Sequence, residues 1–441
     1  MIEWSAILVV ARQVVEALSN DPAFLYLFAP VILLVELPLT IAVLAGMLVW
    51  RRRYERRGPV RIQPPVTVVA TTYSEGIAVR GTIMSLLEQT YSGRLEIIVV
   101  VDGALQNRDT YEAAVGCLPI AQNYPNRTLV VLPKWQRGGL VSSINAATNI
   151  ATGDIVVRVD GDSSFDNDMV YEILREFEDP NVPAVAGSLR VRNADASLAT
   201  RMQAIEYLIS IQGGKTGLSP WNTVNNISGA FGAFRREFLT RIGGFDTHSG
   251  EDLDLTLRIK QYFGRHPEMR IPFATRAIGH TDAPDTFRQL FRQRLRWDGD
   301  LVFIYMRKHP RVFSPRLLGM KNFLFTLVYG FFQGIVMPFM IVAFNVWVVF
   351  YYPVEVFLAI MGVQYVLYAL YTILLFAVFL SGVSERPKLD IGLAVFLPLY
   401  PVYSLTMRCF SAFAILNEIL RRGHEESNMA PWWVLRKGGP F

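Results

Sequence analysis

"DIVVRVDGDSSFDND", residues 154–168, begins as an apolar run and ends in a crowd of carboxylates. Ile155, Val156, Val157 and Val159 are β-branched, which suits an extended strand covered on both faces. Asp160, Asp162, Asp166 and Asp168 follow where that strand should stop. Two readings compete for them. Acidic turns after strands are common as solvated loops, yet two carboxylates at a strand end also suit a divalent cation held against a phosphate. Gly161 lets the backbone turn tightly while Asp160 and Asp162 face one crevice. For Asp166 and Asp168 the plainer expectation is capping or first-turn charge before the helix "MVYEILREFE".

Upstream stretches repeat the pattern. "VTVVATTYSEG", "LEIIVVVDG" and "RTLVVLPK" read as strands, with "IAVRGTIMSLLEQT" and "GLVSSINAATNIA" as helices among them. Continuous β-branched runs alternating with helical periods predict a parallel α/β sheet with both faces covered. Ligands of such sheets bind beyond the carboxyl ends of the strands. Three predicted strand ends carry polar groups: Tyr73-Ser74-Glu75, Asp102-Gly103 and Asp160-Gly161-Asp162. They are expected to share one crevice, which favours the cation reading of the opening stretch.

The chain as a whole is too apolar for an ordinary soluble enzyme. Of its 441 residues 51% are hydrophobic and 18% charged, with a mean hydropathy of +0.28. The apolar residues gather in blocks at 24–50, 322–352, 354–380 and 390–417. Each block exceeds the roughly 20 helical residues that cross a hydrocarbon core of about 30 Å. The expected organisation is an interfacial helix and a transmembrane helix over 1–50, and a water-facing globular domain over 51–286. A connecting segment with interfacial helices follows over 287–321, then a C-terminal membrane region over 322–441. In residues 1–18, Trp4, Ile7, Leu8, Ala11, Val14, Val15 and Leu18 share one helical face, the pattern of a helix lying in the interface. "RRRYERRGPVR" follows the first apolar block, and the positive-inside rule then puts the globular domain in the cytoplasm, with the chain multi-pass in the inner or plasma membrane. These arginines read as topology, with no nucleic-acid partner implied. Cys117 and Cys409 are the only cysteines, consistent with a reducing compartment and no structural disulfide.

Two further constellations carry chemistry. In "GGFDTHSGEDLDLTLRI", residues 243–259, Glu251 and Asp252 open a predicted helix after Gly250. A carboxylate there is placed to accept a proton from a hydroxyl, or else merely complements the helix dipole. In "FRQLFRQRLRWDGD", residues 287–300, Gln293, Arg296 and Trp297 fall within about one helical turn. Arginine suits a diphosphate and tryptophan offers a flat apolar face to a sugar. The competing reading is a basic amphipathic helix on the membrane surface, since Arg288, Arg292, Arg294 and Arg296 recur along it.

Taken in order, D, D-x-D, E-D and Q-x-x-R-W flanked by spanning helices resemble the membrane-embedded processive glycosyltransferases of family 2. That group includes hyaluronan, chitin-oligosaccharide, poly-N-acetylglucosamine and cellulose synthases. "TDAPDTFRQLFRQRLRW" matches the group's T-[DE]-x-P lead-in to Q-x-x-R-W. "NNISGAFGAFRREFL" looks like its acceptor-side segment, closer to the hyaluronan and poly-N-acetylglucosamine synthases than to the cellulose synthases. The resemblance implies a Rossmann-like GT-A-type domain that uses a UDP-sugar and Mg2+ or Mn2+. It implies that Thr71, Tyr73, Glu75 and Asp102 hold the uridine, that Asp160 contacts the donor nucleotide, and that Asp162 holds the metal. Asp252 would be the general base. Gln293, Arg296 and Trp297 would close over the diphosphate and position the acceptor, with Ser228, Gly229 and Glu251 on the acceptor side. UDP-N-acetylglucosamine is the donor this likeness favours. Two departures stand out: the first strand–turn reads "ATTYSEG" where the group has Pro and Asn-Glu. Gly138-Gly139, with Lys134 and Arg137 nearby, replaces a Gly-Lys whose lysine contacts phosphate.

With no nucleophilic carboxylate assigned, the expected reaction is direct displacement with inversion at the cytoplasmic face, building a β-linked polysaccharide exported through the membrane part. Glu36, beside Pro38 in the first apolar block, is expected either to line a sugar channel or to hydrogen-bond between helices; Gln333, Asn345 and Gln364 are further polar residues of that kind. The alternatives are a non-processive transferase adding one sugar to a lipid carrier, and a transporter or channel with a regulatory nucleotide-binding domain. Pro398 and Pro401 interrupt the last block, so residues 403–420 form either a final span or a cytoplasmic interfacial helix.

Overall fold

The computed structural model describes residues 31–422 continuously, together with Val9, Arg12, Glu16, Ser19, Asn20 and Tyr26. The interfacial helix expected over residues 1–18 lies for the most part outside these residues, as does the end of the C-terminal region expected over 322–441.

Eight strands form one sheet: β1 Val66–Thr72, β2 Leu95–Asp102, β3 Arg127–Lys134, β4 Ile155–Asp160, β5 Ser164–Phe165, β6 Ala184–Val191, β7 Phe231–Arg235 and β8 Phe273–Thr281. Their order is β3-β2-β1-β4-β7-β6-β8-β5. Strands β3, β2, β1 and β4 are parallel, as expected. Every residue of β1 and β2 is buried, which is why both read as unbroken apolar runs.

The all-parallel expectation ends at β7, which runs antiparallel to β4 and β6. The loop carrying Asn226, Ser228 and Gly229 delivers the chain beside the carboxyl end of β4, where Phe231 pairs with Val159. From there the strand can only run back down the sheet. The register also aligns the functional ends, because Thr71 of β1 pairs with Asp160 of β4 while Asp102 of β2 pairs with Lys134 of β3. Gly161 is required by close approach: a Cβ there would lie 2.3 Å from Thr72 Cγ2 and 2.8 Å from the Thr71 carbonyl oxygen.

Among the described residues four helices are long and apolar enough to cross a membrane: Ile32–Glu55, Pro315–Tyr351, Val354–Gly382 and Pro387–Arg421. The first does not stand apart from the catalytic domain. Its Gly46 packs so closely on Gly217 that a Cβ would lie 1.8 Å from the Gly217 carbonyl oxygen. Met47 and Trp50 share one apolar cluster with Met202, Ile205, Leu208 and Leu290 of the domain and with Leu375, Phe376 and Phe379 of the third long helix.

The last helix, Tyr400–Arg421, touches the domain along its length. The Tyr403 hydroxyl donates to Glu206 at 2.7 Å, Ser411 donates to Asp298 at 2.9 Å, and Arg307 donates to Glu418 at 2.7 Å. Before it, the turn Ser384–Asp390 is ion-paired to the sheet. Buried Arg190 of β6 makes two bonds of 2.7 and 2.9 Å to Asp390, and Arg386 reaches both oxygens of Asp166 at 2.8 Å. Asp166 is therefore not a helix cap. It accepts from Arg386 and pairs with His280 at 2.9 Å, while Asp168 occupies the cap position of Met169–Phe177 without a side-chain bond.

Candidate active site

Beyond the carboxyl ends of β1, β2 and β4 lies a cavity of about 560 Å3 lined by Thr71, Thr72, Tyr73, Glu75, Asp102, Arg137, Gly139, Leu140, Ser143, Asp160, Gly161, Asp162 and Arg296. Every residue expected to hold the nucleotide or its metal is in this lining, and the arginine of Q-x-x-R-W reaches it from Phe287–Val302.

Asp102 is not a free nucleotide ligand. One of its oxygens accepts from Lys134 Nζ at 3.0 Å and from the Gly138 amide at 2.8 Å, and the other accepts from the Gly139 amide at 2.8 Å. It anchors the glycine turn that opens Leu140–Ile150, where Gly139 has φ +85°, a conformation that favours glycine. Lys134 is thereby committed to Asp102, and Arg137 instead lies over the Tyr73 ring at 4.0 Å.

The carboxylates of the pocket crowd one another. Burial first, with Asp162 and Asp160 adding, pushes Glu75 up to about 7, and one of its buried oxygens has no partner. Asp160, 39% exposed to the pocket, is pushed up to about 6 by burial and by Asp162 and Glu251, against Arg158 and Arg296. Such a crowd suits a divalent cation, which removes the mutual repulsion. Among the described residues no group of three or more His, Cys, Asp or Glu side chains is gathered to hold an ion by itself, so the donor set fits a metal completed by phosphate oxygens.

A residue that the sequence reading passed over joins this pocket to the E-D motif. Arg158 of β4 is 2% exposed, and its Nη2 lies 3.7 Å from Asp160 and 3.1 Å from Glu251. Its only signal in the sequence is one charge inside a valine run.

Asp252 sits at the first turn of Glu251–Lys260. Its Oδ2 accepts from the Gly229 amide at 3.0 Å and Asn226 Nδ2 at 3.2 Å, and its Oδ1 from the Leu253 amide at 2.7 Å. Buried Lys215 holds the Asn226 carbonyl at 3.0 Å, a support that no sequence pattern marked. Gly229 is needed for fit, since a Cβ there would lie 2.7 Å from Arg158 Nη1 and 3.1 Å from Glu251 Oε1. Ser228 precedes it on the same loop and accepts from the Phe231 amide through its carbonyl at 3.1 Å. Ser228, Gly229, Glu251 and Asp252 lie outside the cavity lining, behind Arg158.

Two further contacts tie the Q-x-x-R-W helix into the site. Asp300 accepts from Ser249 beside Gly250 and is pushed up to about 7, by burial above all and with Glu251 and Asp252 adding. Arg294 does not face the membrane surface. It pairs with Glu206 at 2.8 Å and lies over the Trp297 ring at 4.6 Å, while Trp297 packs against the core that includes Tyr207 and Phe231. The Gln293 side-chain carbonyl is buried without a partner.

Residues 64–299 match the family described as "Glycosyltransferase like family 2", more than half of the chain. The chain belongs to that family. Among curated family 2 relatives it is similar to "Probable glycosyltransferase YdaM" of Bacillus subtilis, 28% identical over 61% of this chain and 62% of that one. A Rhizobium meliloti "N-acetylglucosaminyltransferase" is 29% identical over 53% and 55% of the two chains. The "Poly-beta-1,6-N-acetyl-D-glucosamine synthase" of Staphylococcus aureus is 28% identical over 53% of each. The chain thus spans between about half and three fifths of these relatives' length. Its fold is similar to that of the mannosyltransferase PcManGT from Pyrobaculum calidifontis, solved with GDP-Man and Mn2+, at a TM-score of 0.50 and 20% identity over 87% of this chain and 97% of that one. The architecture is GT-A-like, with a mixed sheet that is parallel in its first half and several long apolar helices.

A second cavity, of about 410 Å3, lies among the apolar helices. Glu36, Tyr329, Gln333, Gln364, Tyr365, Tyr368, Tyr371, Tyr400 and Arg408 contribute its polar wall, and Ser210 and Gly214 of the catalytic domain also line it. Glu36 accepts from Gln333 at 2.9 Å. It both lines the cavity and bonds between helices.

Proposed function

We propose that this family 2 chain is an inverting, metal-dependent, processive glycosyltransferase that polymerises a UDP-sugar into a β-linked polysaccharide. One arrangement carries the reading: the donor residues and Arg296 line a single cavity, and Arg158 joins its Asp160 to Glu251 of the E-D motif.

In this reading the nucleotide stacks between Thr71, Tyr73 and Glu75, with Asp102 shaping the glycine turn beside it. Asp162 would hold Mg2+ or Mn2+ and Asp160 would contact the donor nucleotide; a bound cation there would supply charge neutralisation for the leaving group. Arg296 adds a fixed positive charge at the same oxygens, worth most where water is excluded. Asp252, oriented by Gly229 and Asn226, takes the proton from the acceptor hydroxyl. That oxygen attacks the anomeric carbon as the sugar–phosphate bond breaks, and configuration inverts. Trp297 stacks the terminal sugar, Gln293 turns its buried carbonyl to the acceptor, and Ser228, Gly229 and Glu251 shape the acceptor side.

The four-part organisation at 1–50, 51–286, 287–321 and 322–441 is part of the proposal, with the catalytic domain on the cytoplasmic face of the inner or plasma membrane. The arginines after the first span support that placement. The contacts of Tyr403, Ser411 and Glu418 favour a last helix that lies along the domain on the cytoplasmic side, leaving three spans. The donor favoured is UDP-N-acetylglucosamine, in keeping with the relatives' names. The tyrosine-lined cavity, opening on the domain at Ser210 and Gly214, suits passage of the product.

Its wall also includes Leu39, Val43, Ile341 and Met361, an apolar side that favours a second reading: transfer of one sugar to a lipid carrier. Membranes incubated with labelled UDP-N-acetylglucosamine, UDP-glucose or UDP-glucuronic acid and Mn2+ separate the cases. A high-molecular-weight glycan supports polymer synthesis and a single-sugar lipid the second reading. Inert membranes would leave only a transport role.

A further inference from the structure

The loop that carries Asp162 is held from outside the sheet. Immediately after it, β5 pairs with β8 through Ser164 and His280, and the Asp162 carbonyl accepts from Arg192 Nη2 at 3.0 Å. Asp166 then fixes the loop's far end, bridged by His280 from β8 and by Arg386 from the turn between the last two apolar helices. That turn is itself seated: Arg190 Nη1 lies 2.7 Å from Asp390, and its Nε also pairs with Glu385. Before the turn, Gln364, Tyr368 and Thr372 line the membrane cavity. After it, Tyr400 and Arg408 do.

We propose that Arg386 is a positioning residue for the donor site: through Asp166 it sets the conformation of residues 161–168 and hence where Asp162 presents its carboxylate. A side chain from the membrane part thereby helps determine how tightly the catalytic domain holds the metal–nucleotide. Asp162 is itself exposed, and its carboxylate accepts from Ser163 Oγ at 3.5 Å. Its placement therefore depends on the loop, and the loop is clamped at Asp166, where Arg386 Nη2 lies 2.8 Å from both carboxylate oxygens in a charge-assisted contact. The inference rests on the reading of Asp162 as the metal-holding residue.

The test is binding of UDP with Mn2+ to the full-length protein in lipid nanodiscs, measured by calorimetry, beside thermal unfolding. Arg386 is 38% exposed on its side chain, and Arg190–Asp390 keeps the turn attached, so Arg386→Gln is expected to fold. Its affinity for Mn2+–UDP should fall by about tenfold, as for partners that orient a metal ligand. Donor KM should rise with it while kcat changes little. Arg386→Lys, which keeps the charge on a shorter side chain, should recover part of the loss. A lowered unfolding midpoint with unchanged Mn2+–UDP affinity would make Arg386 merely structural and overturn the proposal. Asp162→Asn is the control. If it binds Mn2+–UDP as the wild type does, the donor-site reading itself fails, and this inference with it. If it loses binding and Arg386→Gln does not, only the inference fails.

Discussion

Arg158 Nη2 lies 3.1 Å from Glu251 Oε1, with both side chains buried, so one arginine inside the sheet links the strand that presents Asp160 to the helix that presents Asp252. Breaking a buried pair by removing one partner leaves an uncompensated charge, which costs about 3–5 kcal/mol. Arg158→Met should therefore lower the unfolding midpoint sharply. Arg158→Met combined with Glu251→Gln should be more stable than the single variant yet equally inactive, which denaturation and turnover measured on both will check.

Asp252 is held by three hydrogen bonds that aim its carboxylate without neutralising it. Asp252→Asn should keep Mn2+–UDP affinity and lower kcat by about a hundredfold to ten-thousandfold, the usual worth of a general base. Retained turnover would take the proton acceptor elsewhere.

Asp300 ionises near pH 7 in the folded protein, well above its ordinary value of 3.8, because it is buried. The sign follows from proton uptake. Between pH 3.8 and about 7 the folded state holds a proton that the unfolded state has lost, so the stabilisation from this group is complete below that window and disappears as pH rises through it. Asp300→Asn stays neutral and still accepts from Ser249. Its unfolding midpoint should match the wild type in acid and exceed it in alkali, measured across the pH range by thermal denaturation.

Glu36 pairs with Gln333 in the wall of the membrane cavity. Glu36→Leu should shorten or trap the polymer while leaving single-sugar transfer and UDP-sugar hydrolysis intact, read by product sizing and by assay of glycan on each side of sealed vesicles. Unchanged product length and release would remove the cavity from the export path.

Much of this site is legible in the chain because parallel strands buried on both faces write themselves as valine and isoleucine runs, and their ends are where polar residues begin. Tyr73, Glu75, Asp102, Asp160 and Asp162 follow from that alone, while Thr71 follows only from the resemblance. The reversal at β7 does not, since "FGAFR" is too short to declare a direction and only the loop before it decides which way it enters. Arg158 and Asp166 were hidden for another reason. Their meaning lies in partners remote along the chain, Arg386 being 220 residues from Asp166, and local pattern has no access to such pairings. Asp102 lines the cavity and also accepts from Lys134 and the Gly138-Gly139 turn, contacts that no local pattern announces.

The glycine contact between residues 46 and 217 has a practical corollary. With backbone pressed on backbone there, nothing fits between the two segments, and Met202, Ile205, Leu208 and Leu290 are buried against helices long and apolar enough to cross a membrane. Excising residues 64–299 as a free-standing fragment would lay that greasy strip bare, and such a fragment should clump rather than dissolve. The anchor is as much a wall of the enzyme as its tether.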